Sequence, residues 1–161
     1  MKQIQLSIIL KAAEAVDATS EEELDVLVEK YALEQPFLIA HLLQAEEDFD
    51  NVDISGLVIY YFAVAMIAAE KSEMTLGKLE PADIDAFHEP FLEELDKFFE
   101  TEDIADISEF LGQPDMLTYL FGDLKAREDS GEIPEDGELF ESSLVVLLAL
   151  VGLTNCAILK N

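Results

Sequence analysis

The stretch that decides the fold is "ISGLVIYYFAVAMIAA", residues 54–69, in which no side chain carries a charge. Its apolar residues do not alternate with polar ones, as in a half-buried strand, and the run is longer than a typical buried strand. A helix that is apolar on all sides is either enclosed by other helices or placed in a membrane. The stretch therefore predicts the central helix of a bundle, capped by Asp53 and ending near Lys71.

A second uncharged run, "SSLVVLLALVGLTNCAIL", occupies residues 142–159. Both runs are shorter than the roughly 20 apolar residues that a membrane-spanning helix needs. Ser, Thr and Asn also dilute the second run. We therefore expect both helices to be buried inside a soluble protein, with no membrane partner.

The segments around these runs carry apolar residues at spacings of three and four, which is the helical period. A first helix is predicted over residues 2–16. A second begins after Ser20, which can cap the amide of Glu23 while the Glu23 side chain returns the bond. Separate helices are predicted for "PADIDAFH", "PFLEELDKFFE", "DIADISEFLG" and "PDMLTYLFGDLKARE". The fold class is therefore all-α, a single helical-bundle domain of about seven or eight helices.

Two phrases are nearly repeated: "LEQPFLIAHLL" at residues 33–43 and "LGQPDMLTYLF" at residues 111–121. In both halves "EELD" precedes the phrase and a long apolar helix follows it, opening with "SGLV" or "SSLV". Three matches in the same order predict an internal duplication, with units 1–75 and 76–161. Each unit would contribute one long apolar helix, and the two would bury each other's apolar faces.

The repeated Gln-Pro pair has a structural interpretation. Pro36 and Pro114 suit the first turn of a helix, where no hydrogen bond is lost. The residue before a proline avoids the helical region, so the chain turns there. We expect Gln35 and Gln113 to help cap that turn. The same alignment places His41 where the second phrase has Tyr119, which indicates a boundary aromatic residue instead of a metal ligand.

The charge is extreme, with 36 acidic residues against 9 basic ones and a net charge of −27. Such a surface repels phosphates and anionic lipids, which argues against nucleic-acid and membrane partners. It favours fast association with a basic protein, although solubility alone is a sufficient reason for acidity. Two acidic loops supply the candidate partner-binding residues, which are Glu46, Glu47, Asp48, Asp50 and Asp53 in the first and Glu132, Glu135 and Asp136 in the second.

Metal and catalytic templates fit poorly. A di-iron bundle site needs two Glu-x-x-His motifs, but the chain has only His41 and His88, preceded at three residues by Leu38 and Asp85. The loop starting at Glu46 lacks the glycine and final glutamate of a calcium-binding loop. Cys156 is alone, which excludes an internal disulfide, and it is expected to be a buried, inert thiol. No catalytic, metal or cofactor-binding residue is assigned, and no cofactor is expected.

These observations favour a non-enzymatic protein–protein interaction module. A narrower alternative is an immunity or inhibitor protein that neutralises a basic partner. An enzyme or metal-binding helical bundle is the alternative from another class. A homo-oligomer is a further alternative, with Leu57, Val58, Leu144 and Val145 at the interface or at the intramolecular seam. The N-terminal segment has no convincing signal peptide, so cytoplasmic localisation is expected.

Overall fold

Helices make up most of this computed structural model, which describes residues 2–51, 53–134 and 137–160. Within these ranges there are eight helices of two or more turns and one single turn, α4, and no strand. The predicted all-α helical bundle is confirmed. The helices are α1 Leu6–Asp17, α2 Glu21–Glu34, α3 Pro36–Leu43, α4 Ala45–Asp48, α5 Asp53–Lys71, α6 Pro81–Thr101, α7 Ile104–Leu111, α8 Pro114–Asp129 and α9 Glu138–Lys160.

The two long apolar helices, α5 and α9, pack against each other, and α1 lies along α5. Every residue in 61–69 and in 146–154 is buried. By length and composition, both helices could cross a membrane. In their most apolar windows, however, 61% of α5 and 72% of α9 is buried inside the protein. Their apolar surface is therefore mostly covered by other parts of the same chain.

Local capping chemistry defines several helix ends. The Ser20 hydroxyl accepts a hydrogen bond from the Glu23 amide at 3.2 Å, which is the predicted cap of α2. At the start of α6, Glu80 and Asp83 form a reciprocal capping box that the sequence analysis missed. Pro36 and Pro114 are the first residues of α3 and α8, as predicted.

Two predicted helix boundaries are wrong. The first helix begins at Leu6 instead of Lys2, because residues 2–5 lie outside regular secondary structure and Gln5 has an extended backbone. The two helices predicted between residues 81 and 100 form the single helix α6, which contains Pro90. An internal proline removes one helical hydrogen bond. Phe87 and Phe91 stack with ring centroids 5.0 Å apart and are buried on both sides of Pro90, so burial holds the helix together.

Gln35 and Gln113 do not cap the turn before proline, so that expectation is also wrong. Each buried side chain instead binds a remote extended segment. Gln35 Oε1 accepts from the Leu79 amide at 3.0 Å, and its Nε2 donates to the Gly77 carbonyl at 2.8 Å. Gln113 makes the same pair of bonds with the Ile4 amide and the Lys2 carbonyl, both at 2.9 Å.

These two bonding patterns have a common consequence. The segment that Gln35 holds leads into α6, and the segment that Gln113 holds leads into α1. The backbone angles of the two glutamines are also alike, with φ −131° and ψ 61° at Gln35 and φ −132° and ψ 75° at Gln113. Each half of the chain therefore positions the first helix of the other half.

Candidate functional site

Helices from the two halves of the chain meet beside the α5–α9 pair in two places. In one of them α1 packs against α8, which carries Tyr119. In the other, α3 and α6 border a cleft that contains His41 and His88. His41 and Tyr119 hold matching places in the two repeated phrases. This one matched position is the basis for comparing the two places.

A cluster of side chains lies beside the contact between α1 and α8. We call this cluster the tyrosine seam, and it consists of Tyr60, Tyr61, Tyr119, Asp123 and Arg127. The Tyr61 hydroxyl donates to Asp123 and accepts from Arg127 Nε at 2.9 Å. The Arg127 guanidinium also lies 3.1 Å from Asp123 Oδ2 and stacks 4.7 Å from the centre of the Tyr60 ring. The Arg127 guanidinium is therefore hydrogen-bonded within the protein, and such charge-assisted bonds are strong.

Burial dominates the titration of this seam. It raises the pKa of Tyr60 to about 12, with a further contribution from the hydrogen bond that its hydroxyl donates to Asp17 at 2.8 Å. Burial and the bond to Asp123 raise the pKa of Tyr61 as well. Both tyrosines therefore remain protonated donors at neutral pH, and neither can serve as a general base.

The second predicted acidic loop lies next to this seam. Glu132 binds Arg127 Nη1 at 2.8 Å, and Glu132 and Asp53 line the same groove. The structure thus brings together one residue from each acidic loop. Both residues line the groove that contains Arg127, the only arginine in the sequence, so its positive charge partly compensates their negative charges. Glu135 and Asp136 lie outside the described residues.

The first predicted acidic loop is divided between different roles. Glu46 accepts a hydrogen bond from Ser55, and Glu47 accepts one from Gln44 Nε2 at 2.8 Å. Asp50 is exposed in the turn after α4, with φ 50°. Only Asp48 of this group lines the neighbouring cleft.

That cleft, here called the histidine cleft, has a volume of about 210 Å³. His41 and His88 line it with their rings nearly perpendicular and their centroids 6.1 Å apart. Its remaining polar lining is Gln44 and Asp48, and Phe49 and Leu92 lie at its exposed edge. The apolar floor consists of Leu42, Ala45, Phe91, Val145, Val146 and Ala149.

His41 is the most perturbed group in the cleft. Burial, and then the neighbouring His88, lower the pKa of His41, while Asp48 and Asp85 act in the opposite direction. A neutral imidazole is therefore favoured at neutral pH. The charges that face it from α4 and α6 are acidic, and none of the described lining residues is Lys or Arg.

The cleft belongs to parts of the chain that contain no Lys or Arg. Neither Lys nor Arg occurs in residues 31–70, 79–96 or 138–159. These runs include α3, α4, most of α5 and α9, and the part of α6 that carries His88. The cleft is therefore an apolar depression with acidic surroundings and no cation of its own.

No metal centre is visible in the described ranges, where no group of three or more His, Cys, Asp or Glu side chains is arranged to hold an ion. Among the described residues, none completes a metal site with His41 and His88. Cys156 is half-buried, and burial raises the pKa of its thiol. A thiol that stays protonated is a poor nucleophile, so this residue offers little catalytic capacity.

Comparison of the chain with protein-family models, with curated proteins and with solved structures finds no match. The site must therefore be interpreted from its own chemistry. Sequence reasoning identified both histidines but not their proximity, and it overlooked Arg127. The available signal was that this strongly acidic chain contains a single arginine.

Proposed function

We propose that this protein is a non-enzymatic interaction module that binds a basic protein partner. The observation that carries the proposal is the histidine cleft, an apolar depression whose walls come from chain segments without a single Lys or Arg. Complementary charge accelerates encounter and selects partners, while apolar contact supplies most of the affinity. An immunity or inhibitor role against a basic partner is the narrower form of this proposal.

Several features support binding over catalysis. Long-range hydrogen bonds hold parts of the chain together through the side chains of Gln35, Gln113 and Tyr61. Among the described residues of the cleft lining, His41 has no Ser, Thr or Cys beside it, because the rest of the lining is His88, Gln44, Asp48 and apolar side chains. Of the two loops predicted to bind a partner, the first is adjacent to the cleft through Asp48.

The experiment is a pull-down from the native cell lysate at low and at moderate salt, read by mass spectrometry. We expect a basic protein that is retained at low salt and lost as salt screens the charges. A variant with Glu46→Gln, Glu47→Gln, Asp48→Asn and Asp50→Asn should lose it. The matched control removes four charges from α2, at Glu21, Glu22, Glu23 and Asp25. Equal retention by both variants, or no partner at either salt, contradicts the proposal.

The architectural part of the proposal is a single domain made of two duplicated units, 1–75 and 76–161, each with one long apolar helix. The repeated phrases support it, and so do the matching bonds of Gln35 and Gln113. In each case a glutamine from one unit binds the extended segment that opens the other. Two copies that evolved together in one chain are expected to show such reciprocal contacts, in which each unit binds the first segment of the other.

We also propose a soluble, cytoplasmic setting, because α5 and α9 bury most of their apolar surface against each other and their neighbours. Of the four residues considered for a homo-oligomer interface, Val58 and Leu144 are buried within the chain. Only Leu57 and Val145 retain partial exposure. A basic partner therefore remains the preferred one over a second copy.

A further inference from the structure

We propose that the histidine cleft is the docking site, and that its occupant is a short basic amphipathic segment of a protein partner. An apolar side chain of that segment would enter the cleft, with Arg or Lys on either side of it. This inference rests on the proposed function and specifies which surface and which chemistry carry it.

The size of the cleft favours a side-chain anchor. Pockets for small molecules usually enclose about 300–1,000 Å³, and the histidine cleft encloses about 210 Å³. Its floor is apolar, formed by residues such as Phe91, Val146 and Ala149. A buried aliphatic or aromatic anchor in such a depression is the usual centre of an interface.

The edge of the cleft offers exposed apolar surface as well. Phe49 at the end of α4 is 38% exposed, and Leu92 on α6 is 42% exposed. Both line the cleft, so the apolar floor continues outward onto the surface. Apolar area that is contiguous and exposed marks interaction sites more often than isolated residues do.

Charge complementarity identifies the rest of the occupant. Asp85, His88, Glu89 and Leu92 share one face of α6, because residues three and four apart are neighbours on a helix. Asp48 lies at the cleft from α4. Acidic groups therefore border the apolar edge, and Lys or Arg residues flanking the anchor would meet them.

The tyrosine seam shows what this chain places in the corresponding position. There Tyr61 fills the space beside Tyr119, and the Arg127 guanidinium binds Asp123. An aromatic ring and a cation thus close that seam from within the chain. At the histidine cleft the ring of His88 likewise lies beside His41, 6.1 Å between centroids, but no Lys or Arg is supplied by the described residues of the lining. A cation is therefore what a basic amphipathic segment would add, together with an apolar side chain for the open space.

The two histidines make a direct test available. The chain contains only His41 and His88, and both line the cleft. Their imidazole carbon–proton NMR signals in untagged protein therefore report on the cleft alone. The probe is a fluorescent 12-residue helical peptide with Leu and Phe on one face and Arg on the other. Two comparison peptides replace Arg by Glu, or Leu and Phe by Ser.

We expect the basic amphipathic peptide to shift both histidine signals saturably, and neither comparison peptide to do so. Leu92→Ser should weaken binding about tenfold, which corresponds to about 1.4 kcal/mol of lost apolar contact. The matched control is Leu10→Ser on α1, at a residue of similar exposure, 47%, outside the cleft lining. It should leave the affinity unchanged.

Four outcomes would overturn the inference. Peptide binding detected by fluorescence anisotropy without any histidine shift would move the site elsewhere and leave the proposed function standing. Equal shifts with the Ser-containing peptide would show a purely electrostatic contact. Histidine shifts that follow protein concentration alone, with a dimer in sedimentation, would assign the cleft to self-association. Absence of all peptide binding together with an empty pull-down would overturn the proposed function as well.

Discussion

The tyrosine seam and the histidine cleft occupy comparable places in one molecule and are built in opposite ways. At the tyrosine seam, the Tyr61 hydroxyl of α5 joins Asp123 and Arg127 of α8, and α1 packs against both helices. At the histidine cleft, two imidazoles 6.1 Å apart border a space that no described side chain fills. The tyrosine seam is closed by hydrogen bonds among Tyr61, Asp123 and Arg127, whereas the histidine cleft is left open.

The difference teaches how a helical bundle can separate stability from binding. A buried network with its hydrogen bonds satisfied makes the packing of its helices specific. An open apolar cleft forgoes that contact energy and leaves surface available to a partner. We infer that the chain uses the tyrosine seam to hold its helices and the histidine cleft to bind.

The largest expected effect on stability comes from replacing either of the two glutamines that bind the segments leading into α6 and α1. Gln113→Ala removes bonds to Ile4, Lys2 and Asn155, and Gln35→Ala removes bonds to Leu79 and Gly77. Each leaves buried backbone groups unpaired. We expect each to cost about 3 kcal/mol of unfolding free energy, with the larger loss at Gln113, measured by urea denaturation.

The control for this pair is Gln44→Ala. The exposed side chain of Gln44 bonds only to the Glu47 side chain in the described structure, so its loss should stay within about 0.5 kcal/mol. If Gln35→Ala were as mild as Gln44→Ala, the paired roles of the two glutamines would be disproved. The duplicated architecture would then lose its main structural support.

A smaller effect is expected within the tyrosine seam. Tyr61→Phe deletes the hydroxyl that bonds to both Asp123 and Arg127 and should cost about 1–3 kcal/mol. Tyr119→Phe is the matched control, because the Tyr119 hydroxyl is buried without a well-formed hydrogen bond in the described structure. Thermal and urea unfolding of both variants test the contrast. Equal losses would show that the seam is held by ring packing alone.

The smallest effect concerns the pH response of the histidine cleft. Burial lowers the pKa of His41 in the folded protein, so the folded state binds its proton more weakly than the unfolded chain does. Stability from neutral His41 is therefore lost as pH falls below the unfolded pKa of about 6.5, and fully lost below the folded pKa. Urea denaturation at several pH values between 8 and 5 measures this loss.

His41→Gln should remove that part of the pH dependence, because its side chain does not titrate. His88→Gln should reduce it, since His88 is the second contributor to the lowered pKa. An unchanged pH slope in His41→Gln would show that the imidazole is better solvated than its burial indicates. The acidic residues titrate in the parent and the variants alike, so the difference between proteins isolates His41.

Much of the local structure was predictable from the sequence. The uncharged stretch at residues 54–69 indicated a buried helix, and Ser20 and Pro36 marked helix starts that the structure reproduces. The merging of two predicted helices through Pro90 was not predictable, because tertiary burial of Phe87 and Phe91 outweighs the local cost of proline. The non-helical backbone of residues 2–5 likewise forms hydrogen bonds with Gln113, which is distant in the chain.

The candidate site was predictable only in part. The acidic loops were visible as charge patterns, and Asp48 does line the histidine cleft. The proximity of His41 and His88 was hidden, because they lie on helices that are far apart in the sequence. The same holds for Arg127, whose partners Tyr61 and Glu132 flank it at very different separations.

The sequence by itself determined the helical class, the strong negative charge and the burial of the two long apolar helices. These follow from periodicity and composition, which act locally or on the chain as a whole. Only the tertiary structure decided that the tyrosine seam is closed and that the histidine cleft is open. That outcome depends on a few long-range contacts among side chains such as Gln35, Tyr61 and His41, and no local pattern in the sequence encodes those contacts.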